Sequence, residues 1–150
     1  MEYLILRPPM QGINSSIKTL HTQPISHIIL FIVAVEVLLI KLTSTKLITG
    51  ITFGCTEGRA ETFADDTTIY FKRTPENLRN AIKCLQQFTL ISGLQCNLDK
   101  TPVIPIGLHH DITEENTLCP ELELKWETEF TILGFVSDIK LQKLDKNPDH

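Results

Sequence analysis

The sequence predicts an α+β fold, a small antiparallel sheet with two principal helices packed on one face. Three observations carry that expectation. An apolar run fills residues 28–40, and a capped, amphipathic segment lies between Thr74 and Gly93. Between them, two β-favouring runs meet at an Asp-Asp pair.

Residues 1–20 show no clean period, and Arg7-Pro8-Pro9 and residues 12–16 read as loop. The run Ile-Ile-Leu-Phe-Ile-Val-Ala-Val-Glu-Val-Leu-Leu-Ile over residues 28–40 reads as a buried core helix. It starts near Pro24-Ile25-Ser26, with Ser26 as a candidate N-cap, and ends near Lys41-Leu42. The run is shorter than the ~18–20 residues that span a bilayer. A carboxylate such as Glu36 near mid-membrane also costs about 2.5–3.5 kcal/mol on insertion scales. A small membrane-anchored protein is therefore the weakest reading of this segment. Its β-branched content is high for a helix, so tertiary packing must hold it.

Residues 46–53 read as a short strand or extended loop, punctuated by Gly50 and Gly54. Thr62-Phe63-Ala64-Asp65-Asp66-Thr67-Thr68-Ile69-Tyr70-Phe71 has β-favouring flanks and turn-favouring acids at its centre, which predicts a hairpin with both carboxylates at the tip. Thr74-Pro75-Glu76 opens a helix, with Thr as N-cap, Pro at the first position and an acid in the first turn. Leu78, Ile82, Leu85, Phe88 and Ile91 make one apolar stripe, and Gly93 is placed to end the helix. Leu94, Cys96 and Leu98 alternate with polar residues as in a half-buried strand. Residues 102–107 continue extended, 108–121 read as loop, and Leu122, Leu124 and Trp126 alternate again, with Trp126 in the core. A second β run fills 130–135, and the last residues, 143–150, are polar.

The chain of 150 residues favours one domain, and 42% apolar with 21% charged residues is ordinary for a globular protein. Cys55, Cys84, Cys96 and Cys119 form no Cys-x-x-Cys pair and read as reduced, structural thiols, not zinc ligands. No signal peptide opens the chain, so an intracellular protein, nuclear or cytoplasmic, is expected. The net charge of -4 lacks the positive footprint of a free-standing nucleic-acid binder. The late acidic residues, from Asp111 to Glu129, read as a solvated surface.

The Asp65-Asp66 pair is the feature that carries chemistry. Adjacent carboxylates at a hairpin tip concentrate negative charge, which raises their pKa values unless a cation neutralises it. Mg²⁺ binds through one or two carboxylates plus substrate phosphates. Two such ions ~3.5–4 Å apart activate an attacking hydroxyl and stabilise a leaving group in line.

In its surroundings this pair resembles the reverse transcriptase family, in the branch of non-LTR (LINE-type) retrotransposons. Phe63-Ala64-Asp65-Asp66 is similar to the family's aromatic-Ala-Asp-Asp signature, and Thr67-Thr68-Ile69-Tyr70-Phe71 continues as that branch does. Ser92-Gly93-Leu94-Gln95-Cys96-Asn97-Leu98-Asp99-Lys100-Thr101 resembles the following Ser-Gly-Leu…Asn…Lys-Thr block. Phe130-Thr131-Ile132-Leu133-Gly134-Phe135 resembles the Leu-Gly block that supports the primer grip. Pro24-Ile25-Ser26 with the apolar run after it is similar to the segment opening the template-side palm helix. The blocks stand in family order over residues 23–138, with 1–22 a segment of uncertain structure and 139–150 a tail.

The resemblance implies a partial palm domain and Mg²⁺-dependent nucleotidyl transfer on an RNA template and DNA primer. Asp65 would be the main metal ligand, Asp66 an accessory ligand or electrostatic partner, and Lys100 the cation near the departing pyrophosphate and a general acid. Phe63 would approach the primer end. Three departures imply that this chain does not polymerise DNA alone. The family's palm carries another aspartate on a strand before Pro-Ile-Ser, whereas Glu2, Glu36, Glu57 and Glu61 are the only acids ahead of Asp65. The sheet is therefore expected to lack a strand and to be marginally stable, with an exposed edge. Leu20-His21-Thr22-Gln23 stands where the family has Arg-Gln-Gly-Asp. Fingers, thumb and endonuclease are not recognisable. The alternative is a non-catalytic interaction module that keeps the palm scaffold.

Overall fold

The computed structural model describes residues 3–8, 10–11, 25–63, 66–107, 118–127, 129–132 and 135–138. For 10–11, 25–27, 63, 66, 95, 129–132 and 135–138 it describes the backbone alone. The strands are β1 Tyr3–Leu6, β2 Met10–Gln11, β3 Ile51–Phe53, β4 Thr56–Gly58, β5 Ala60–Phe63, β6 Asp66–Lys72, β7 Gln95–Cys96, β8 Pro102–Ile106, β9 Lys125–Trp126, β10 Glu129–Ile132 and β11 Phe135–Asp138. Helix α1 is Ile25–Ser44 and α2 is Pro75–Ser92. The α+β class expected from the sequence is the class observed.

The main sheet has five strands in the order β5-β6-β1-β8-β9. β1 is antiparallel to both β6 and β8, and β5 is antiparallel to β6, while β8 and β9 run parallel. β1 and β5 therefore run parallel on either side of β6 and are joined through α1. β6 and β8 run parallel on either side of β1 and are joined through α2. These two interleaved units make the split β-α-β-β-α-β arrangement.

This topology corrects the expected gap in the sheet. A strand does precede α1, and it takes the central place. β1 escaped the sequence reading because its four residues are too few to show a period. It is also covered on both sides: Leu4 and Leu6 are buried in the core cluster, and Ile5 is buried on the opposite face. A strand buried on both faces reads as a plain apolar run, without alternation.

The core lies between the sheet and the helix pair. Leu4, Leu6, Ile69, Phe71 and Val103 from the sheet meet Leu38 and Leu42 of α1 and Leu78, Ile82, Leu85 and Phe88 of α2 in one cluster. Each such side chain contributes about 1.5–3 kcal/mol when fully buried. Trp126 is half-buried against the same cluster.

Helix α2 follows its sequence closely. The Thr74 side chain accepts from the Asn77 backbone N–H at 3.2 Å, Pro75 sits in the first turn, and Gly93 ends the helix at φ 71° with its N–H on the Thr89 carbonyl. Only glycine takes that left-handed angle without strain. Ile91 departs from the expected stripe and is 82% exposed. Asn77 is buried and accepts from the Thr49 N–H at 3.0 Å while donating to the Lys72 carbonyl at 3.1 Å. It ties the end of β6 to the start of α2.

Helix α1 differs from expectation in two ways. It begins one residue before Ser26, which therefore lies inside the first turn and not at the N-cap. It is also not a fully buried helix: Val35, Leu38 and Leu42 are buried, whereas Ile29, Ile32 and Val33 are more than half exposed. Its last turn is held by Arg59, whose guanidinium donates to the Thr43 carbonyl at 2.5 Å and the Ile48 carbonyl at 2.9 Å. Glu57 completes this arrangement at 3.0 Å from the Arg59 Nη2. Within residues 46–53 only Ile51–Phe53 is strand, β3, which pairs with β4 across a turn with Gly54 at φ 60°. Leu98 opens a 3-10 turn, Leu98–Lys100, and does not continue the expected alternating strand. All four cysteines are free.

Candidate active site at the hairpin end of the sheet

β5 and β6 form the expected hairpin. Phe63 is paired with Asp66 in the register, so residues 64–65 connect the strands. Asp66 opens β6, and Asp65 lies outside the described residues, as does Ala64. Phe63 closes β5. The expected pairing of the two strands is observed, and the bend itself, at residues 64–65, lies outside the described residues.

The registers fix what else stands at this end of the sheet. Tyr3 faces Lys72 and Leu6 faces Ile69, so β1 runs toward the hairpin tip. The tip extends three residues beyond Ile69, about 10 Å at strand rise. On the other side of β1, Leu6 faces Val103, and the Arg7 N–H donates to the Pro102 carbonyl at 3.3 Å. The start of β8 is therefore at the same end. Lys100 lies in the 3-10 turn immediately before β8, with its side chain exposed. β6 and β8 are two strand spacings apart, roughly 9.5 Å. Of the residues singled out in the sequence, Asp66 and Lys100 thus share one end of the sheet.

Three residues here were missed from sequence. Arg7 follows β1 and, by alternation from Leu4 and Leu6, belongs to the sheet face away from the helices. Tyr70 and Glu61 share that face, and the Tyr70 hydroxyl donates to the Glu61 carboxylate at 3.2 Å. Burial pushes the Tyr70 phenol up to about 12, aided by the Glu61 charge and hydrogen bond, while the nearby Arg7 guanidinium acts in the opposite sense. Arg7, Tyr70 and Glu61 therefore form a charged row across β1, β6 and β5. No local signal marks it, because the row exists only once β1 is paired with β6.

β1 is the strand that bears on a fit of this end to Mg²⁺. The strand next to the hairpin carries Tyr3-Leu4-Ile5-Leu6 and then Arg7, with no carboxylate. A guanidinium has the same sign of charge as a metal ion and opposes its binding. The described residues also contain no group of three His, Cys, Asp or Glu side chains able to hold a metal. The carboxylates of Asp65 and Asp66 lie outside the described side chains. No helix among the described residues is long and apolar enough to cross a membrane. No protein-family model matches the chain.

Proposed function

We propose that this chain descends from the palm of a non-LTR reverse transcriptase and, as it stands, does not carry out nucleotidyl transfer. The observation that carries the reading is the hairpin closed by Phe63 and Asp66, set at the sheet end that also holds the turn with Lys100. The resemblance assigns catalytic roles to Asp65, Asp66 and Lys100, and the arrangement of strands agrees with such an ancestry. What removes the chemistry is the charge on the neighbouring strand. Phosphoryl transfer depends on positioning and electrostatic stabilisation, so a cation in place of a shared carboxylate is a severe loss. Template and primer are held weakly at best by a chain of net charge -4.

Primer extension on an RNA template tests the activity. The purified chain is expected to incorporate no dNTP with Mg²⁺ or Mn²⁺. Incorporation that is abolished by Asp65→Ala would overturn the loss of activity while supporting the ancestry. Calorimetric titration with Mn²⁺ tests the charge argument separately. Arg7→Asp is expected to create an affinity that the natural chain lacks, and adding Asp66→Asn is expected to remove it. Failure of Arg7→Asp to gain any affinity, in a folded protein, contradicts the assignment of metal loss to β1.

The second reading, a non-catalytic interaction module on the same scaffold, is favoured by one observation. The outer face of α1 is apolar and exposed.

A further inference from the structure

The hairpin of β3 and β4 stands apart from the main sheet. Its two strands pair with each other in a sheet of their own. Residues 52–57 are all exposed, Phe53 by 71%. Among the described residues, none between 51 and 58 belongs to the core cluster. Both ends of the segment are nonetheless tied to β6. The Thr49 carbonyl accepts from the Lys72 N–H at 2.9 Å, and the Arg59 carbonyl accepts from the Tyr70 N–H at 2.7 Å. The Thr49 N–H donates to Asn77, and Ile48 before it is buried in the core. Residues 50–58 therefore leave and rejoin the sheet at neighbouring points on one strand.

We infer that residues 50–58 form an arm that opens on this fixed root while the sheet stays folded, and that Glu57 is its latch. Glu57 closes the base of the arm from two sides. One carboxylate oxygen accepts from the Gly50 N–H at 2.6 Å, and the other lies 3.0 Å from the Arg59 Nη2. Arg59 is the fixed half of the latch, because its Nε and Nη1 donate to the Ile48 and Thr43 carbonyls. Thr43 lies in the last turn of α1, where carbonyls lack helical partners. The guanidinium is therefore held in place when the carboxylate leaves. Gly50 lets the base close tightly. A Cβ there would collide with the Gly58 carbonyl oxygen and stand 2.7 Å from the Arg59 Cγ. Bonds to charged groups are the stronger kind, but this latch is reached by water, with the Glu57 side chain 36% exposed. Segments with few buried apolar contacts and solvent-exposed backbone bonds open at a lower free energy than the core. The arm meets both conditions. β1, with Leu4, Ile5 and Leu6 buried, meets neither.

The inference stands independently of any polymerase ancestry. Amide hydrogen exchange, read by NMR on the isotope-labelled full chain, tests it. The amides of β3 and β4 are expected to exchange together, at least about tenfold faster than those of β1, and with little dependence on added urea. Glu57→Ala is expected to speed the arm by about a further tenfold. Gly50→Ala, which wedges the base apart with Glu57 intact, is expected to act in the same direction. Ile82→Val trims the core in α2, far from the latch in sequence. It is expected to speed β1 by about threefold to tenfold while leaving the arm at its natural rate. Arm amides as slow as those of β1 overturn the inference. So does Ile82→Val speeding both regions in step, since the arm would then open only when the whole fold does. An arm unmoved by Glu57→Ala removes Glu57 as the latch.

Discussion

The two helices lie side by side on one sheet and solve the same packing problem with different sequences. α2 has one apolar face, a Thr74 cap and a Gly93 stop, and its outer side is built mainly from Arg79, Lys83, Gln86 and Gln87. α1 supplies Leu38 and Leu42 to the same core and buries Val35 as well, but is apolar on its outer side too. α2 leaves large apolar side chains exposed only in its last turn, at Leu90 and Ile91. α1 carries more apolar surface than the fold covers. Hydrophobicity alone therefore does not say which positions hold the monomer together, and only the packing against the sheet separates them.

Substitutions can break this comparison most strongly within α1 itself. Leu38→Ala is expected to cost about 2–5 kcal/mol, as for other fully buried leucines. Val33→Ala, one turn away on the outer face, is expected to change monomer stability by no more than about 0.5 kcal/mol. Urea denaturation at sub-micromolar concentration measures both, and equal costs would mean that the outer face is covered within the monomer. Asn77→Ala comes next, at about 1–3 kcal/mol for two hydrogen bonds, because it removes the partner of the Thr49 N–H and one of the two donors to the Lys72 carbonyl, which keeps the Thr74 N–H. For the ends of α2, Thr74→Ala and Gly93→Ala are each expected to cost about 1 kcal/mol in the same assay.

The smallest effect concerns the charged row. The native chain keeps the Tyr70 proton to about 12, whereas an unfolded chain releases it near 10.0. Between those values the unfolded state binds fewer protons, so the stability linked to Tyr70, fully present below pH 10, falls as pH rises through the window. Ultraviolet titration should show a late phenolate step that Tyr70→Phe removes and Glu61→Gln moves to lower pH. An unmoved step in Glu61→Gln would separate Glu61 from Tyr70.

Legibility followed the range of the interactions. α2 could be read to the residue because its caps, proline and apolar spacing are local signals. The hairpin was legible because its two strands are neighbours in sequence. The five-strand order was not, since β1 pairs with strands more than sixty residues away and its four residues carry no period. Ile91 and Leu98 failed for the opposite reason. Ile91 keeps the helical spacing but stands exposed in the last turn of α2, and Leu98 continues a strand pattern into the 3-10 turn Leu98–Lys100. At the candidate site, Asp66 and Lys100 were legible as motif residues. Arg7 was not, because its importance comes from the strand it follows.

The central claim is that Tyr3–Leu6 is the middle strand of the sheet and brings an arginine, with no carboxylate, to the hairpin end. Backbone NOEs on isotope-labelled protein test it directly. The account predicts cross-strand contacts from Leu4 to both Phe71 and Pro105, and from Ile5 to both Tyr70 and Ile104. Direct contacts between β6 and β8, with residues 3–6 showing none to either strand, would contradict it.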